Sequence, residues 1–176
     1  MEDAAQERYV FLRFAEADAS EALNLVLEAK TESRPLIQRT LLQVSVLAYM
    51  RPFRWANSRF RQSDGSRPYR IRLEKLAYVA EEHLELHEML ESYRDSAYAH
   101  TDLKVRHPTL RFWEGHRWEF PIAFKPVDRA PLNLRIPALQ RLFSSLQSQI
   151  EDEIQACETS FKSQYGASAL VDGLDP

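Results

Sequence analysis

The stretch Tyr93-Arg94-Asp95-Ser96-Ala97-Tyr98-Ala99-His100-Thr101-Asp102 gathers an arginine, acids, tyrosines and a histidine into ten positions. An arginine offers a flat, permanently charged fork to a phosphate, and an imidazole with a pKa near ~6.5 exchanges protons at neutral pH. Six residues separate Arg94 from His100, which leaves them about 120° apart on an ideal helix. To share one site, Arg94 must sweep around or the helix must loosen near Ala99. The plain alternative is a salt-bridged surface, with His100 favoured near a helix C-terminus by the helix dipole.

Upstream, Arg51, Arg54, Arg59, Arg61, Arg67, Arg70 and Arg72 are interleaved with Trp55, Phe60 and Tyr69, and Asp64 is the only acid among them. Such a pattern can follow an RNA backbone with bases stacked on the aromatic rings. Its alternative is a solvated helix end paired with the Glu-rich face of the third helix. His83 and His87, with Glu91 a turn further on, have the spacing of a shared metal site. The run His87-Glu88-Met89-Leu90-Glu91 lacks the second histidine of a zincin motif, so the expectation is one exposed and one core-edge histidine, with no metal and no cofactor. His107 and His116 have no recognisable partners, Trp113 and Trp118 suit packing of a hairpin, and Cys157 occupies an apolar helix position where a thiol is inert.

Composition narrows the chemistry further. Four glycines, at 65, 115, 166 and 173, lie too far apart for a phosphate-cradling loop or a dinucleotide fingerprint. A single cysteine excludes an internal disulfide and a cysteine-rich zinc site. No stretch approaches the ~20 apolar residues of a membrane span, and the first residues are acidic, so a soluble, unprocessed, cytoplasmic protein is expected. The net charge of -3 conceals a division. Residues 1–33 sum to -5, residues 34–141 to +7 and residues 142–176 to -5. Of the 23 basic residues 18 are arginine, which hints at an anionic partner.

The elements that must position these groups read as helices. Val10, Phe14, Ala17, Ala22, Leu25, Val26 and Ala29 predict a first helix ending near Lys30. Pro35 suits the first turn of a second, with Ile37, Leu41, Val44, Leu47 and Ala48 facing inward. A polar connection spans about 59–72. Helix three is expected from Leu73 toward His100, burying Leu76, Ala77, Ala80, Leu84, His87 and Leu90. Alternation around Glu114-Gly115 predicts a small β-hairpin over about 109–125. From Pro137 the series Leu139, Leu142, Phe143, Leu146, Ile150, Ile154, Cys157 and Phe161 predicts a fourth long helix that Gly166 ends. The expectation is therefore all-α: a four-helix up-and-down bundle as one domain over 1–165, a hairpin insertion between helices three and four, and a tail over 166–176.

Arg94-Asp95-x-x-x-x-His100, continued by Ala99-His100-Thr101-Asp102 at the end of helix three, resembles the motif of HEPN domains, the nucleotide-binding helical bundles of higher eukaryotes and prokaryotes, in particular their abortive-infection and toxin-like branch. The resemblance implies an RNA-binding protein and a metal-independent endoribonuclease, working as a homodimer whose two motifs face one cleft, with an antitoxin protein as a further partner. It implies that His100 of one subunit takes the 2'-hydroxyl proton, that the other protonates the leaving oxygen, and that Arg94 stabilises charge on the phosphoryl oxygens. In that setting Asp95 would orient Arg94 or His100, and Tyr98 would donate to phosphate or stack on a base. A non-catalytic interaction or dimerisation module is the competing class, because fold and activity are separable.

Overall fold

A computed structural model of the chain describes residues 2–61, 68–95, 108–110, 122–124 and 132–165. It is mostly helical, in line with the all-α expectation. Helix α1 spans Glu2–Thr31 and α2 spans Pro35–Met50. Pro35 stands in the first turn, where a missing N–H leaves nothing unpaired. Two contacts close the short link between them. Glu32 accepts hydrogen bonds from the Arg34 backbone and guanidinium, which lowers its carboxyl to about 2. Gln38 donates to the Ala29 carbonyl at 2.9 Å, occupying an acceptor that the helix end would otherwise leave open.

The inner stripe of α1 is Leu12, Ala15, Ala19, Ala22, Val26 and Ala29. Steps of three and four residues make this a heptad seam, and its alanines let the neighbouring helices approach closely. That geometry corrects the expected face: Phe14 is 70% exposed and Ala17 is also exposed, because the seam has no room for a ring. In α2 the buried residues are Leu42, Ser45, Val46, Ala48, Tyr49 and Met50; Ala48 faces inward as expected, while Ile37, Leu41, Val44 and Leu47 are only half-buried, so the face is rotated from the expected one. The last helix, α5 (Ile136–Tyr165), follows a 3-10 turn at Leu132–Arg135 and buries Leu139, Leu142, Phe143, Leu146, Ile150 and Ile154. α1 packs on both α2 and α5. It runs antiparallel to α5, with Arg8 meeting Glu153 at 2.9 Å and the Tyr9 ring meeting Phe161 edge-on at 5.7 Å.

The middle of the chain departs most from expectation. Instead of an irregular polar connection, β1 (Ala56–Arg61) pairs antiparallel with β2 (Pro68–Ile71), with Ala56 opposite Ile71 and Asn57 opposite Arg70. Ile71 and Leu73 are buried, and the Leu73 N–H donates to the Pro52 carbonyl at 2.8 Å. This bond holds Leu73 against the turn after α2, so Leu73 starts no helix. A single turn, α3 (Lys75–Tyr78), gives way to extended Val79 and Ala80 and then to a 3-10 turn at Glu81–His83. The helix expected from Leu73 begins only here, as α4 (Leu84–Arg94). Leu76, expected inside, is 80% exposed and Ala77 is exposed, while Tyr78 and Val79 are buried. Further on, β3 (Pro108–Leu110) pairs antiparallel with β4 (Ile122–Phe124), with Pro108 opposite Phe124. No helix among the described residues is long and apolar enough to cross a membrane.

Candidate nucleic-acid interface

α4 fixes the position of Arg94 and Asp95. Leu86, His87 and Leu90 bury one face of the helix, and Arg94 ends it, where a cation suits the negative end of the helix dipole. Asp95 is the C-cap residue. Beside this end lies the turn after α2: the Arg51 N–H bonds to the Ala48 carbonyl and the Arg54 N–H to the Arg51 carbonyl. Pro52 and Phe53 are buried within the turn. Arg54 is thereby brought to the end of α4. Arg94 Nη1 donates to Asp95 Oδ1 at 2.5 Å, and Arg54 Nη2 donates to the same oxygen. Burial raises the Asp95 carboxyl, but the hydrogen bonds from Arg54 and Arg94 outweigh it and hold the group below its ordinary value. Arg54 Nε is buried with no hydrogen-bond partner among the described residues.

Two features read separately in the sequence, the Arg-rich segment and the Arg94-Asp95 pair, thus meet at one carboxylate. The rest of the arginine set is dispersed. Arg51 is bound by Asp18 at 2.9 Å and Glu21 at 2.7 Å, both on α1, so its acidic partners are not those of the third helix. Arg72 pairs with Glu74 at 3.1 Å and lies 4.3 Å over the exposed Trp55 ring. Arg59 and Arg61 belong to β1 and Arg70 to β2. Arg67, Tyr98 and His100 lie outside the described residues, as do His107, Trp113, His116 and Trp118.

No family model, no curated protein and no solved structure matches this chain.

Two arrangements escaped the sequence reading. The first surrounds His87, which is 1% exposed. Its Nδ1 is 2.7 Å from the Tyr49 hydroxyl, and Tyr49 stacks on Phe143 with ring centroids 4.6 Å apart. Phe53 meets the imidazole edge-on at 4.6 Å. The Tyr49 hydroxyl is buried and has no other acceptor among the described residues, so it satisfies its hydrogen by donating to Nδ1, and the imidazole proton resides on Nε2. No group of three or more metal-binding side chains occurs among the described residues. The second arrangement joins Arg8, Tyr78 and Glu153. Arg8 donates to Glu153 at 2.9 Å and to the Tyr78 hydroxyl, which itself donates to Glu153. It lines a cleft of about 640 Å³ with Arg72, Gln149 and Asp152. The sole available signal was a tyrosine at an apolar helix edge, and its partners stand at the far end of the chain.

Burial pushes the His87 imidazole below its ordinary value of 6.5, with Glu91 pulling weakly the other way. On acidification the unfolded chain then takes up a proton that the folded chain refuses. The stability contributed by neutral His87 is whole above about pH 6.5 and is lost as the pH falls toward the folded value. The paired carboxyls Glu32, Glu88 and Asp95 lie below their ordinary values and lose their contributions only at more acidic pH. Melting temperature is therefore expected to fall between about pH 7.5 and about pH 5.5, and His87→Gln should flatten that slope. Equal slopes in the two proteins would remove His87 as the cause.

Proposed function

We propose that this chain is a HEPN-like RNA-binding protein of four main helices with a hairpin insertion between α4 and α5. In this reading it acts as a metal-independent endoribonuclease within a homodimer. The observation that carries the reading is the convergence of Arg54 and Arg94 on Asp95. Two guanidiniums held within reach of one oxygen by an acid form a pre-set anion clamp, and a phosphate displacing the carboxylate inherits both forks. His100, the proton-transfer group of this reading, follows Asp95 by five residues in sequence.

The chemistry divides among these groups. His100 takes the 2'-hydroxyl proton as that oxygen attacks the adjacent phosphorus, and the partner's His100 protonates the departing 5'-oxygen. Arg94 and Arg54 together balance the charge on the phosphoryl oxygens of that phosphate. Asp95 keeps both guanidiniums in place until RNA arrives. The products carry a cyclic 2',3'-phosphate and a free 5'-hydroxyl. A toxin held in check by an antitoxin is the biological setting that suits such an activity.

The test is cleavage of end-labelled single-stranded RNA with EDTA present. Wild-type protein is expected to cut and leave cyclic-phosphate ends, and His100→Ala is expected to slow cutting by about 10²–10⁴-fold, the usual contribution of a general acid-base group. RNA left intact by the wild type, or cut equally by His100→Ala, overturns the nuclease reading. Intact RNA that is nevertheless bound leaves a non-catalytic RNA-binding module.

A further inference from the structure

A second cleft, of about 670 Å³, lies between the segment Leu73–Ala77 and α4. Phe53, Leu73 and Leu76 supply apolar walls, His87 and Glu91 line it from α4, and Arg72 stands at its edge. Most of its charged groups are already engaged. Arg72 is paired with Glu74 at 3.1 Å, and Lys75 with Glu88 at 2.9 Å. Two polar groups are not. The Glu91 carboxylate makes no hydrogen bond or ion pair among the described residues, and His87 uses only Nδ1, on Tyr49. His87 lines the cleft, and Nε2 is its one ring nitrogen not engaged by Tyr49.

His87, Glu91 and Asp95 are spaced i, i+4 and i+8 along one stripe of α4. The Arg54–Asp95–Arg94 clamp is therefore about 6 Å of helix beyond Glu91. Phe53 in the cleft wall directly precedes Arg54 in the clamp. An RNA whose phosphate is held at the clamp can turn an adjacent base into the cleft.

We propose that this cleft reads guanine. This inference rests on the RNA-binding part of the function proposed above. The uncommitted groups are one donor, His87 Nε2–H, and two carboxylate acceptors on Glu91, one helical turn along, where Cβ atoms at i+4 spacing stand about 5–6 Å apart. The Watson–Crick edge of guanine is their complement: O6 accepts, while N1–H and the N2 amino group donate side by side. Adenine has one donor beside an acceptor on that edge, cytosine has one donor beside two acceptors, and uracil has a donor flanked by acceptors. Only guanine gives a carboxylate two adjacent donors. The Phe53 ring and the exposed Leu76 side chain give the cleft the apolar lining that suits an unstacked base from a single strand.

The experiment compares the full-length protein's binding of four labelled single-stranded RNA pentamers that differ only in the central base, and of free guanosine. The guanine pentamer is expected to bind about tenfold more tightly than the other three, the effect of one bidentate base contact. Glu91→Gln is expected to erase that preference and to leave the other three affinities unchanged, whereas Arg54→Ala weakens all four alike. Equal binding of the four pentamers, unaltered by Glu91→Gln, overturns the guanine pocket while RNA binding stands. Guanosine binding that Glu91→Gln abolishes, with no pentamer bound, supports the pocket and overturns the RNA reading. Binding of neither overturns both.

Discussion

Arg94→Ala is expected to slow EDTA-resistant RNA cleavage by about 10²–10³-fold, the usual loss when one preorganised donor to a developing oxyanion is removed. The same change is expected to leave the fold nearly as stable as before. Arg94 and Asp95 are partly exposed, with side chains 26% and 39% accessible, and pairs of that kind contribute about 0–1 kcal/mol. Asp95 also keeps its hydrogen bond from Arg54, so no carboxylate is stranded. The split between activity and stability is what distinguishes a clamp on phosphate from a brace on the helix end. If Arg94→Ala cleaves RNA at the wild-type rate but melts well below it, Arg94 is a brace and the nuclease assignment loses its central arginine.

Phe143→Ala is expected to have the opposite signature. Phe143 is 0% exposed and stacks at 4.6 Å on Tyr49, the ring that carries the hydrogen bond to His87 and also meets Phe53 at 5.4 Å. Truncating a buried phenylalanine costs about 3–5 kcal/mol, because its contacts vanish and the surroundings close only part of the void. For a chain of this length that corresponds to a drop in melting temperature of roughly 10 °C. The void opens beneath Tyr49, so the register of α2, α4 and α5 suffers together. A melting curve for Phe143→Ala that superimposes on the wild type would mean that the Tyr49–Phe143 stack is not the centre of this core.

What could be read from the residues follows how far apart the interacting groups are. α2 opens at Pro35, and α5 shows its buried face from Leu139 to Ile154, because each is fixed by rules acting within a few turns. The inner face of α1 was harder to read. Ala22, Val26 and Ala29 stand in the expected face, but large apolar residues such as Phe14 attract attention, while Ala15 and Ala19, which close helix contact also selects, do not. The stretch from Leu73 to Ala80 has helical spacing, but the bond from Leu73 to Pro52 and the burial of Tyr78 and Val79 interrupt it. Arg94 and Asp95 were legible as a pair because they are adjacent. Their meeting with Arg54 was not, since it depends on how the turn after α2 lies against α4. His87 was legible as an inward-facing histidine, but its partner Tyr49, and the meeting of Arg8 with Tyr78 and Glu153, were not, because the partners lie 38 to 145 positions apart.

The pairing of α1 with α5 also sets an order of events during synthesis. The C-terminal half of α1 meets α2 as soon as the next helix is made, as Gln38 on Ala29 and Arg51 on Asp18 record. The N-terminal half must wait for α5: Arg8 and Glu153 are 145 positions apart. A ribosome adding ~5–20 residues per second takes roughly 7–30 s to cover that interval. Throughout it, Tyr9, Phe11 and Leu12 lack the surface of α5 that later shelters them. One helix is thus completed in two instalments, and its first turns are among the last parts of the protein to find their place.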